Sequence, residues 1–353
     1  MTTRFVLYAP NVYTGGGFVL LRALLTAWPR EAGALITFLD ARAQGNLSIP
    51  KGSDVLWVKA NVMSRLRAEW DLRRVPIKPD DVILCFHGLP PLLPNRGNIV
   101  VFQQNRNLLG LNLLSGFPLR TRVRLMCERA VSLLLRSRVS RYIVQTPTMQ
   151  REIHKWYAGS GFSDSLPDVQ VFPFIDDKFE LATAGRSTVD WDFIYVADGE
   201  AHKNHRKLLE AWIILAQEGL RPSLALTLGP RDDVLRMEIE SAVCTSDLKI
   251  VDLGQWPHCQ LMALYPRAGA LIFPSTSESF GLPLVEAMRS GLPIIASELD
   301  YVRDVCVPAQ TFDPLSAVSI SKAVKRYLGV HEELPSLNSA STFWASLIQA
   351  SKK

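Results

Sequence analysis

Two carboxylates, Glu278 and Glu286, are separated by seven residues and flank the turn Ser279-Phe280-Gly281-Leu282-Pro283. The apolar run Gly269 to Phe273 before this stretch reads as a buried strand, and Pro283 to Ser290 after it reads as a helix. Gly281 lets the backbone bend close past a ligand, and Pro283 suits the first helical turn, where its missing N–H costs nothing. The loop amides and helix N-terminus then form a pocket for an anion such as a diphosphate. The two carboxylates can accept hydrogen bonds from hydroxyls, which a ribose and a hexose both offer.

Elements that could position such a pocket recur along the chain. Arg4 to Ala9, the glycines Gly15, Gly16 and Gly17, and Phe18 to Ala27 read as strand, glycine loop and helix. Leu35 to Leu39, Asp54 to Val58, Asp81 to Phe86 and Asn98 to Phe102 read as further short buried strands, with Arg141 to Gln145 and Val169 to Pro173 after them. The alternation resumes at Trp191 to Ala197 with a helix His205 to Gln217, a strand Ser223 to Gly229, a helix Asp232 to Val243, a strand Lys249 to Leu253 and a helix Cys259 to Ala268. A strand Pro293 to Ala296 and a helix Pro314 to Leu328 follow the carboxylate stretch. Short apolar strands alternating with helices predict an α/β fold of two doubly wound halves, each a parallel sheet covered on both faces. The 353 residues and 48% apolar content suffice for two cores. The acidic and small residues between Pro173 and Ser187 mark the boundary. His87, ending the strand Asp81 to Phe86, stands at the edge where open parallel sheets hold ligands. A sugar contact and a satisfied structural histidine are both open readings of it.

The string Pro274 to Met288, with its two glutamates, resembles the donor-binding signature of the family 4 retaining glycosyltransferases, whose fold is GT-B. The resemblance implies a retaining hexosyltransferase that uses a nucleotide-diphosphate sugar as co-substrate and needs no divalent metal or other cofactor. It places Glu278 beside the transferred sugar and Glu286 on the nucleotide ribose, with Ser279, Phe280, Gly281 and Leu282 shaping the donor pocket. Asp190 to Trp212 is similar to the first strand and helix of the family's nucleotide domain, which makes Lys203 the cation on the leaving phosphates. Asp198 stands where the family often has an arginine, and Arg206 is a substitute for it. Lys249 to Leu264 is similar to the segment whose backbone receives the nucleobase, with Leu253 and Gly254 at its turn. Gly15 to Gly17 match the loop that faces the donor phosphates. The implied domains are 1–175 for the acceptor, 188–335 for the donor, and a closing helix over 336–353 that includes Trp344. Many members carry a histidine where this chain has Gln103 to Asn107, and the family's front-face mechanism lets the leaving phosphate take the acceptor proton, so no base is assigned.

Charge narrows the partner. The whole chain carries +5, yet residues 117–155 hold nine basic residues against Glu128 and Glu152. Leucines and valines interleave with those arginines at helical spacing, which predicts an amphipathic helix with a cationic face. An anionic inner-leaflet surface and a lipid-linked or oligosaccharide acceptor in surface polysaccharide or lipopolysaccharide assembly fit that pattern. Nucleic acid does not, because the arginines lack interleaved stacking aromatics. Five scattered cysteines without a C-x-x-C pair argue against a disulfide framework or a zinc site, and His258 beside Cys259 reads as structural. With no leader or spanning run, the expected location is cytoplasmic and peripheral on the membrane. Two rivals stand beside this reading: a catalytically silent nucleotide-sugar-binding or scaffold subunit, and a sugar-nucleotide epimerase or phosphorylase on the same architecture.

Overall fold

Runs of Val, Ile, Leu and Phe too short to make helices pair side by side into two parallel sheets. The computed structural model describes residues 4–109, 117, 119–159, 167–175 and 189–330. The first half runs β1 (Phe5–Ala9), α1 (Gly15–Thr26), β2 (Leu35–Asp40), β3 (Asp54–Val58), α2 (Val62–Arg74), β4 (Val82–Cys85), β5 (Asn98–Phe102), α3 (Leu119–Leu135), β6 (Arg141–Val144), α4 (Pro147–Ala158) and β7 (Val169–Val171). The second runs β8 (Trp191–Tyr195), α5 (His205–Gln217), β9 (Leu224–Leu226), α6 (Asp233–Ser246), β10 (Ile250–Asp252), α7 (His258–Leu261), β11 (Ala268–Phe273), α8 (Leu282–Arg289), β12 (Ile294–Ser297), α9 (Asp300–Arg303), β13 (Gln310–Phe312) and α10 (Ala317–Tyr327).

The sheets are ordered β3-β2-β1-β4-β5-β6-β7 and β10-β9-β8-β11-β12-β13. In each, the order reverses between the first strand and the fourth, with Phe5 paired to Val82 and Trp191 to Ala268. Ligands of open α/β sheets bind outside the carboxyl ends of strands at such a reversal. Those ends carry Gly15 to Gly17 after β1, His87 after β4, Lys203 after β8 and Glu278 after β11. Period-two alternation builds the core: Val6 and Tyr8 face one side of the first sheet, Leu7 and Ala9 the other. Phe193, Tyr195, Trp212, Tyr265 and Phe273 fill the second half.

Several expectations change. The helix expected over Cys259 to Ala268 is broken: α7 ends at Leu261, and Tyr265 to Arg267 form a separate turn around Pro266, which lacks the N–H a continued helix needs. The sequence reading assigns nothing to α2, α4 or β13. The expected domain boundary between 175 and 188 and the closing helix over 336–353 lie outside the described residues. Most consequential is α3, whose outward face mixes the expected cations, Arg120 and Arg124, with a stripe of exposed apolar residues. Leu119 and Leu134 are 76% and 79% exposed, with Val123, Met126 and Leu133 beside them. Two of its arginines are drawn to carbonyls: Arg122 Nε donates to Phe117 O at 2.6 Å, and Arg129 Nε to Asn107 O at 2.7 Å. Arg136 is buried against the rings of Trp156 and Tyr157. Among the described residues, no helix is long and apolar enough to cross a membrane.

His205, the first residue of α5, is 4% exposed, and neither ring nitrogen has a hydrogen-bond partner. Its ring lies against Tyr195, and Leu208, Leu224, Leu226 and Ile239 line the small space beside it. Burial pushes its pKa from 6.5 down to about 3, helped by the nearby Lys203 charge. The unfolded chain therefore takes up a proton at a pH where the folded protein does not, so stability falls as pH drops from about 6.5 towards 3. Thermal unfolding across that range should show the fall, and His205→Phe should flatten it.

Candidate active site

The loop from Pro274 to Gly281 is fixed from below by its own domain. Thr276 N and Thr276 Oγ1 donate to His202 O, at 2.8 and 3.1 Å. Tyr301 OH and Ser297 Oγ both donate to Ser275 O, at 2.7 and 2.9 Å. Asn204, in the left-handed region with φ 63°, donates its amide to Pro274 O and Pro314 O. Gly281 caps α8 with φ 77°, and a Cβ there would lie 2.9 Å from Leu284 Cδ1, so both conformation and space require glycine.

These ties bring two sequence-predicted residues together. Lys203 Nζ lies 2.7 Å from Glu278 Oε1, which also accepts from Ser275 Oγ at 2.7 Å. The side chains are 18% and 11% exposed. Burial alone would push the Lys203 ammonium down, but Glu278, with Asp198 and Glu200 nearby, holds it above its ordinary value. The Glu200 carboxyl is pushed up by burial and by Asp198. Arg206 does not supply the missing cation: it forks onto Glu238 of α6 at 2.7 and 2.9 Å, on the surface.

Glu286 occupies a different environment. It is 2% exposed; Oε2 accepts from Tyr265 OH and Oε1 pairs with His258 Nε2, both at 2.7 Å. The other ring nitrogen of His258 meets Arg22 Nη2, from α1 of the first domain, at 3.5 Å. The ring thus bridges Glu286 of the second domain to Arg22 of the first. His258, read from sequence as structural, therefore belongs to the site.

The glycine loop lies opposite. A Cβ on Gly16 would stand 3.9 Å from Leu282 Cδ2, and one on Gly17 would come within 2.8 Å of Gln104 Oε1. Val19 and Leu20 of α1 join Leu282, Val285, Glu286 and His258 around a pocket between the domains. Phe280 is buried, and Ser279 O accepts from Thr146 Oγ1 at 3.1 Å. Leu253 packs on the second core, and its carbonyl accepts from Trp256 Nε1 at 2.9 Å; Gly254 follows with φ 72°. Asp252 Oδ1 holds the amides of Leu228 and Gly254, which shapes that rim. The His87 ring stands edge-on to Tyr8 with Nδ1 3.4 Å from Tyr8 O, and burial lowers its pKa to about 4.

Sequence reasoning missed Arg106, His258 and Tyr265. Arg106 lies in the stretch Gln103 to Asn107 and reaches Ser277 Oγ at 3.3 Å from across the cleft. The polarity of that stretch after a buried strand was its available signal.

Two seven- and six-stranded Rossmann-like halves facing each other through these loops can be compared with known proteins. Residues 177–337 match the family model described as glycosyl transferases group 1. The fold is GT-B. Sucrose-phosphate synthase from Thermosynechococcus elongatus superposes with TM-score 0.69 and 16% identity, covering 93% of this chain and 90% of that one. Anabaena HepE in complex with UDP and glucose does so with TM-score 0.64 and 14% identity, covering 92% and 90%. O-antigen chain mannosyltransferase B of Escherichia coli is 35% identical over 148 residues, covering 40% of this chain and 36% of that protein. The chain thus spans about a third of the length of that relative. Together these matches show the two-domain fold and a likeness of the second half to glycosyl transferases group 1.

Removing the His258 side chain would leave one oxygen of the buried Glu286 unpaired, at a cost of about 1–3 kcal/mol. Urea unfolding should register that loss in His258→Ala. His258→Gln, whose amide reaches a similar point, should recover most of it.

Proposed function

We propose that the protein is a retaining glycosyltransferase of family 4 that moves a hexose from a nucleotide-diphosphate sugar to a hydroxyl of a lipid-linked acceptor in surface polysaccharide assembly. The observation that carries this reading is the Lys203–Glu278 pair, 2.7 Å apart at the carboxyl ends of the two strands where the second sheet reverses, facing the glycine loop of the first domain. Lys203 and the N-terminus of α8 neutralise charge on the diphosphate as the anomeric C–O bond breaks. The nucleoside diphosphate leaves with that bond's electron pair, and the acceptor oxygen bonds to the anomeric carbon on the same face. The departing phosphate takes the acceptor proton. Glu278 lies beside the sugar and accepts from its hydroxyls, and Glu286 accepts from the ribose. Two of the roughly four acceptor positions on the Glu286 carboxylate remain after Tyr265 and His258 are counted. Because lysine and helix dipole carry the charge, this chemistry calls for no divalent metal.

The apolar residues on the outer face of α3 support a lipid-linked acceptor. Leu119, Val123, Met126, Leu133 and Leu134 form a stripe on which Arg120 and Arg124 are also exposed. Apolar residues seated at the acyl boundary with arginines at headgroup level fit a peripheral helix on an anionic inner leaflet. Each such basic residue contributes about 1 kcal/mol near the surface. Relatives named for O-antigen chain mannosyl transfer agree with that acceptor class.

Nucleoside diphosphates and their sugars, screened by thermal shift, should give one selective stabilisation that Lys203→Ala and Glu286→Ala both weaken. Glu278→Ala should lower turnover of that donor by about 10²- to 10³-fold, as for loss of one transition-state contact, and chelation should leave turnover unchanged. A scaffold subunit would bind the nucleotide without turning it over. Vesicle sedimentation tests the membrane reading: Leu134→Asp with Met126→Asp should abolish binding to phosphatidylglycerol vesicles while nucleotide binding persists.

A further inference from the structure

The loop that carries Glu278 is held from two domains at once. Its entry, Ser275 and Thr276, is tied to its own domain through His202 O, Tyr301 and Ser297. The residues on either side of Glu278 are tied to the other domain. Arg106 Nη1 donates to Ser277 Oγ at 3.3 Å, and Thr146 Oγ1 donates to Ser279 O at 3.1 Å.

Both donors are themselves fixed. Arg106 forks onto Glu152 of α4, with Nε 2.7 Å from Oε2 and Nη2 on Oε1. Glu152 is buried, and a bidentate guanidinium–carboxylate pair sets orientation as well as distance. Thr146 is the N-cap of α4, its hydroxyl oxygen accepting from Met149 N at 3.3 Å while its hydrogen goes to Ser279. The next free amide of that turn, Thr148 N, donates to Asp304 Oδ2 of the second domain at 2.8 Å. One cluster at the exits of β5 and β6 thus grips the second domain at three points.

We propose that Arg106, oriented by Glu152, is a positioning residue that sets the Glu278 loop from across the cleft, so that the catalytic geometry is complete only when the two domains are together. The Arg106–Glu152 pair lies wholly within the first domain and would be satisfied there. The guanidinium edge that it leaves over is directed at Ser277, next in sequence to the carboxylate that the proposed reaction uses. A lysine at 106 keeps the charge and loses the fork, which separates orientation from electrostatics. The catalytic part of this inference rests on the transferase reading above; the mechanical part does not.

Hydrogen exchange of the nucleotide-free protein tests the mechanical part. In Arg106→Lys and in Glu152→Gln, amides of residues 275–281 should exchange at least tenfold faster, with the cores of both sheets unchanged. Kinetics with the donor found by thermal shift tests the catalytic part: kcat should fall at least tenfold with donor KM within twofold, and Arg106→Ala/Ser277→Ala should be no worse than Arg106→Ala alone. Faster exchange in a protein that turns over no donor would uphold the pin and sink the transferase reading. Wild-type exchange at 275–281 in both variants, faster exchange spread evenly over the molecule, or losses that add in the double variant would overturn the proposal.

Discussion

Everything in the second domain is arranged around one partly buried ion pair, Lys203 with Glu278. Removing a charge from water is costly, and breaking such a pair by deleting one partner costs about 3 kcal/mol or more, because the survivor keeps its desolvation without compensation. The pair therefore needs backbone that cannot relax away. Parallel strands β8 and β11, hydrogen-bonded side by side, deliver the two residues to neighbouring exits. The His202 carbonyl, accepting from the amide and the hydroxyl of Thr276, then stitches the two loops together. Asn204 adopts a left-handed conformation beside Lys203 and spends its amide on two carbonyls of neighbouring loops. Strain at a non-glycine residue of this kind persists only where the surroundings over-determine it.

What could be read in advance follows from this. The strands and the carboxylate turn are local patterns, and residues within a dozen positions of one another decide them: the apolar run to Phe273, Gly281, Pro283 and the glutamate spacing. Two doubly wound halves were legible on that basis, and Lys203 and Glu278 were each singled out with the family pattern beside them, but their 2.7 Å pairing across 75 residues was not. The missed residues act over long separations. Ser277 is 171 residues from Arg106 and His258 is 236 from Arg22, and no periodicity encodes either contact. The α3 expectation failed in part, for another reason. Binary patterning assigns leucine inward and arginine outward, but Arg122, Arg129 and Arg136 found carbonyls and aromatic rings, and Leu119, Leu133 and Leu134 face out while Leu125 is buried. Helix α2 escaped similarly, since Val62, Met63, Leu66 and Trp70 are all exposed.

The charge arrangement is unusual for a pocket proposed to hold a diphosphate. Asp198 and Glu200 surround Lys203 together with Glu278, so one ammonium faces three carboxylates, and Arg206 is engaged elsewhere. Positive potential must come from other sources. The α8 N-terminus is one, and the first domain is another: Arg22 and Arg106 both reach the second domain's site residues. Charge complementarity at this cleft is divided between the two halves, which makes their approach an electrostatic event as well as a steric one.

The two glutamates show why identical side chains a turn apart serve different ends. Glu278 is held by an ammonium on a flexible stem and by a serine hydroxyl. Glu286 is buried beside Tyr265, itself fully buried, and tied through His258 to Arg22 of the other domain. The first environment suits contact with a group that changes during reaction. The second holds the carboxylate fixed, with Tyr265 and His258 each on one of its oxygens. Environment, rather than residue type, separates the roles of paired carboxylates, and here the sequence spacing states only that there are two.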